Sequence, residues 1–163
     1  MKSFIFTGLF AVTVLLTGCG KQDRSVASNP IAQPALTAWR QGNQAAAVSE
    51  FLAADWNIRP LFAATCPLSL SEDQFKALSA TERPIRSNEL MAQLDSFKQL
   101  AAAVIQAGQD AAAKGDPARA RKDFTALKQC GAALDGQGAV RLVQLVGQSL
   151  KKRADAELSK LGQ

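Results

Sequence analysis

The chain of 163 residues contains no histidine. That removes the commonest general base, proton shuttle and metal-ligating side chain together. Tyrosine is also absent, and the aromatics are eight Phe and two Trp. Hydrophobic residues reach 47%, yet many are alanine, which favours helix and buries little area. A core made from such a chain depends on close helix packing. No phosphate-binding glycine loop, no Gly-x-Ser-x-Gly and no clustered metal ligands occur. None of the three cysteines belongs to a Cys-x-x-Cys pair. Covalent haem attachment and a thioredoxin-type redox centre are therefore excluded, and no cofactor or metal is expected.

What is present begins at the N-terminus. Lys2 precedes an almost wholly apolar run over residues 4–16, FIFTGLFAVTVLL. As a helix this run spans about 20 Å, short of a bilayer core of about 30 Å. It reads as the hydrophobic segment of an export signal. Small residues and a cysteine follow. Leu16-Thr17-Gly18-Cys19 resembles the lipobox of bacterial lipoproteins in all four residues and in its position after the apolar run.

This resemblance implies cleavage before Cys19, a diacylglyceryl thioether on its sulfur and acylation of its new amine. Two or more acyl chains make a stable anchor. The family's sorting rule then bears on destination. Asp after the cysteine retains many such proteins at the inner membrane, and here Gly20 takes that place. The expected location is the outer membrane, facing the periplasm, with inner-membrane retention as the alternative. The net charge of +5, of which Lys2 leaves with the signal, suits acidic envelope partners. An exported protein does not ordinarily meet nucleic acid.

The expected organisation is a signal peptide over 1–18, the lipidated cysteine and a flexible tether over 19–34, and an all-helical domain over 35–163. Two prolines and polar residues mark the tether, KQDRSVASNPIAQP. Fully stretched, it reaches roughly 45–50 Å. A first helical pair is predicted over 35–41 and 44–55, joined at Gly42-Asn43. Trp56, Ile58, Leu61 and Phe62 then form a bend carrying core residues. Ser71-Glu72-Asp73-Gln74 fits a capping box starting a helix over 72–79.

Pro84 is expected to break the chain, with Ser87 or Asn88 capping the longest helix, to residue 114. Leu90, Leu94, Phe97, Ala101, Val104, Gly108 and Ala111 form its apolar seam, and Gly108 suggests a close crossing. Asp116-Pro117 starts another helix, expected to stop at Gly131. The last helix, over 139–161, lines Val143, Val146, Leu150, Ala154, Leu158 and Leu161 along one face. Lys151, Lys152 and Arg153 read as a solvated face.

A weak internal pattern recurs. Gly42-Asn43, Ala47, Phe51 and Ala54 match Gly115-Asp116, Ala120, Phe124 and Leu127 at identical offsets. The glycine makes the turn, the small residue admits a neighbouring helix, and the aromatic fills the groove one turn on. The pattern resembles the turn and second helix of a tetratricopeptide repeat. It departs from that family where Ala111 replaces the expected aromatic, and no first-helix signature precedes Gly42. The glycines are 73 residues apart, where a simple array gives about 34. The fold expected is an all-α small bundle of helical hairpins, tetratricopeptide-repeat-like. An irregular bundle using the same turn chemistry is the alternative.

With Cys19 lipidated, Cys66 and Cys130 remain. In an oxidising envelope they are a candidate disulfide, the alternative being two separate buried thiols. The functional expectation is a non-catalytic module presenting a hairpin surface, between the Gly42 and Gly115 turns, to a protein partner. Trp39, Trp56 and Arg59 are the candidate contacts. The competing reading is a small cell-wall-acting enzyme, or an accessory subunit of one. It requires a cleft with paired acids of raised pKa.

Overall fold

The computed structural model describes residues 30–136 and 138–162. Residues 1–29, on which the expected export signal and the lipidated Cys19 fall, lie outside the described residues. Among the described residues there are six α-helices: α1 (Gln33–Arg40), α2 (Gln44–Ala53), α3 (Glu72–Ala77), α4 (Glu82–Ala113), α5 (Pro117–Asp135) and α6 (Arg141–Lys160). A 3-10 turn spans Pro67–Ser69. Among the described residues the only β pairing is a single bridge between Ser71 and Ala139. The all-α hairpin class is the observed one. No described helix is long and apolar enough to cross a membrane.

The two patterned turns have the same backbone geometry. Gly42 and Gly115 take φ of +77° and +76°. The N–H of Gly42 donates to Trp39 O and that of Asn43 to Ala38 O; Gly115 donates to Ala112 O and Asp116 to Ala111 O. Each glycine thus closes one helix, in the left-handed conformation that side chains resist. Each following residue caps the next: Asn43 Oδ1 accepts from Ala46 N–H, and Asp116 Oδ1 from Arg119 N–H. Ala47 and Ala120 are wholly buried, as are Phe51 and Phe124. Between the hairpins, residues 54–81 carry the 3-10 turn and six-residue α3 rather than a third copy.

The two aromatics fill different places. Phe51 joins Trp56, Phe62 and Phe97 in the main core; Phe124 packs with Ala111 and Ala120 in a smaller one. The seam of α4 is buried at all seven expected positions, and a Cβ at Gly108 would meet the Phe124 ring at 2.7 Å. The expected close crossing is there.

Three boundaries differ from the sequence expectation. The packed body begins before residue 35. Ala32 is buried, and Ile31 and Ala32 donate N–H bonds to Pro60 O and Leu61 O, so the end of the expected tether is tied to the bend. Pro84 does not break the chain. It is the third residue of α4, in the first turn, where a missing N–H costs nothing. The cap lies further back than Ser87 or Asn88: Glu82 N–H donates to Ser79 Oγ, while Ser79 N–H and Oγ–H donate to Glu82 Oε2.

Gly131, third, does not end α5. It lies inside the helix against Gly147 of α6, where a Cβ on either residue would sit 2.7 Å from the other's carbonyl oxygen. This crossing anchors the most extensive helix pairing in the protein. At its edge Asp135 accepts from Gln148 Nε2 at 2.9 Å and pairs with Lys151 at 3.4 Å.

Glu157 is also buried. It accepts from Gln109 Nε2 of α4 at 2.9 Å and pairs with Lys160 at 2.9 Å and Arg153 at 3.2 Å. The Lys160 bond, joined by Gln109 and Arg153, holds its carboxyl below the ordinary range despite burial. Lys151 and Arg153 are therefore paired, and Lys152 stands exposed.

Candidate functional site

The two hairpins set α2 beside α5, between the Gly42 and Gly115 turns. Two adjoining hollows of ≈470 and ≈300 Å³ follow this junction and share Leu52 and Lys122. Val48 and Leu52 give the groove an apolar wall, while Arg119, Arg121 and Lys122 give it three cations; no lining residue is acidic. Arg121 also donates to Leu161 O at 3.4 Å. Arg119 and Lys122 enter no ion pair among the described residues.

Next to Lys122 in α5 is Asp123, 2% exposed, with Oδ2 unpartnered. Burial pushes its carboxyl above the ordinary value, against the pull of Arg119 and Lys122. A raised pKa in the folded state means the fold binds that proton more readily than the open chain does. Asp123 therefore adds no pH-dependent cost below the usual carboxylate range and costs further stability as pH rises through it. Asp123→Asn should melt at higher temperature than the parent at pH 7, and the gap should close as pH falls through that range. Thermal melts across pH check this.

The expected contacts separate in the structure. Trp56 is core rather than contact: it is 1% exposed, its ring centroid is 4.6 Å from that of Phe51, and its Nε1–H donates to Phe51 O. Trp39 is half-buried against the same core. Arg59 is exposed but acts as a strut, donating to Trp56 O, Ile58 O and Ala133 O. None of the three lines the α2–α5 groove.

The cations that do line it sit in PARARKDF, the start of α5. Arg119 in a first helical turn opposes the helix dipole, and this misfit is the sequence signal that marks the segment.

Cys66 and Cys130 are both free, as in the second of the two readings, separate thiols rather than a disulfide. Cys66 caps the 3-10 turn, half-buried, whereas Cys130 lies fully buried inside α5. Burial raises both thiol pKa values, that of Cys130 the more.

The acids Glu72, Glu82, Glu89 and Asp95 each have a separate partner. Glu72 accepts from Arg141 N–H and pairs with Lys76; Glu82 caps α4; Glu89 pairs with Arg86, and Asp95 with Lys98. Among the described residues no three Cys, Asp or Glu side chains gather as a metal site. The chain matches no protein-family model, no curated protein and no solved structure.

Proposed function

We propose that this protein is a bacterial envelope lipoprotein, held to the outer membrane by the lipid on Cys19. In this reading it presents the α2–α5 groove to an acidic segment of a protein partner and carries out no catalysis itself. The observation that carries the proposal is the groove's charge: Arg119, Arg121 and Lys122 with no lining acid, beside the apolar Val48 and Leu52. An acidic strand or helix with an apolar face complements both features, and such charge matching governs encounter and register. The lipobox residues Leu16-Thr17-Gly18-Cys19 support the address.

The test is photo-crosslinking in living cells from Thr125, on the groove, with Lys76 as a distant control position. A partner should be captured from Thr125 and not from Lys76. Arg119→Glu with Lys122→Glu should reduce that capture at least tenfold, since like-charge juxtaposition costs several kcal/mol. Cys19→Ser should move the chain out of the membrane fraction. Undiminished capture by the charge-reversed chain, or a membrane-bound Cys19→Ser form, would overturn the respective half of the proposal.

A further inference from the structure

A second hollow, sharing no residue with the α2–α5 groove, brings two arginines from distant parts of the chain together. Its volume is ≈500 Å³, and its lining includes Arg40 at the end of α1, Arg86 near the start of α4, and Thr65 and Cys66 from the segment between. Gln33 and Gln93 add amide groups. Arg40 commits its Nε–H to Leu36 O at 3.3 Å, and its terminal amino groups have no partner among the described residues. Arg86 is held by Glu89 at 2.8 Å. Two guanidinium groups thus face one carboxylate, leaving a single surplus positive charge.

We infer that this hollow is a binding site for a carboxylate-bearing ligand, received by the free end of Arg40 with Arg86 beside it. A guanidinium offers parallel N–H donors at the spacing of carboxylate oxygens. The surplus of one charge matches a carboxylate rather than a phosphate dianion, which would remain uncompensated. The hollow exceeds a lone carboxylate, and its lining mixes polar side chains with Ala63, Pro67 and Ala92, so it has room for the rest of a small ligand. The field of Arg40 reaches the Cys66 thiol, lowering its pKa against the larger effect of burial. Cys66 is therefore a built-in reporter.

The experiment compares alkylation of the full-length protein by iodoacetate, which carries the carboxylate, and by neutral iodoacetamide, read at Cys66 by mass spectrometry. The iodoacetate-to-iodoacetamide rate ratio should be about tenfold higher in the native protein than in urea, and Arg40→Gln and Arg86→Gln should each lower it about threefold. Lactate, a polar monocarboxylate, or a capped glutamate peptide should protect Cys66, and whichever protects better identifies a free or a peptide-borne carboxylate. Phosphate at equal ionic strength should protect less. A native ratio equal to that in urea, indifference to both arginine changes, or stronger protection by phosphate would each overturn the assignment.

Discussion

Phe97→Ala should cost about 3–5 kcal/mol, a large part of the ~5–15 kcal/mol that holds a domain of this size together. Phe97 lies on α4 and is 1% exposed. Its ring centroid is 6.4 Å from that of Phe51 on α2 and 6.0 Å from that of Phe62 in the bend, the latter edge-on. Three segments distant in sequence therefore meet on one side chain. In a chain whose apolar content is so rich in alanine, few other groups bury comparable area, and α4 cannot readily bend into the void. Urea unfolding followed by circular dichroism gives the loss directly. Phe97→Leu, which keeps most of the volume, should recover more than half of it. A loss below about 1 kcal/mol for the alanine variant would show that the aromatic cluster is not the organising core.

Gly147→Ala should destabilise by about 2–3 kcal/mol, although helix propensity alone favours alanine by about 1 kcal/mol. The added Cβ would meet Gly131 O at 2.7 Å and Asp135 N at 2.8 Å. These are backbone atoms of α5, which no rotamer change can move aside. Gly131→Ala meets Gly147 O and Lys151 N at the same distances and should cost a similar amount. The double variant should lose less than the sum, because helices already displaced by one methyl leave room for the other. Gly136→Ala is the control. Its Cβ would find only Ala132 O, at 3.4 Å, so the change should stay within about 0.5 kcal/mol. Melting temperatures for the four variants decide the matter.

The sequence was most legible where one residue type answers a purely local need. The Ser71–Gln74 capping box, the Asp116 start signal and the two glycine turns all appear as expected. In each, a side chain or a positive φ satisfies backbone groups a few residues away. The α4 seam was legible because helical periodicity places Leu90 to Ala111 on one stripe whatever they face. Legibility failed where a residue has two physical uses. Proline ends a helix or sits in its first turn, and Pro84 does the second. Tryptophan serves a contact surface or a core, and Trp56 packs on Phe51. A cysteine pair can bond or remain apart, and Cys66 and Cys130 are free.

The candidate sites were less legible still. The position between the two turns was marked by the repeated pattern, but the cations along it were not. Arg40 and Arg86 come from separate helices, with no sequence relation to reveal their shared hollow.

By itself, then, the sequence determined that this chain is helical, where most helices start and which stripe of α4 is apolar, and it shows a resemblance to a lipobox at Leu16–Cys19. These follow from interactions within a few residues, or from a motif read linearly. Only the tertiary structure decided which glycines end helices and which let helices touch, and which arginines share a hollow. Gly115 and Gly131 are the same residue type. One takes a positive φ at a turn, and the other is packed against Gly147; the difference lies in the neighbouring helix, which the local sequence does not contain.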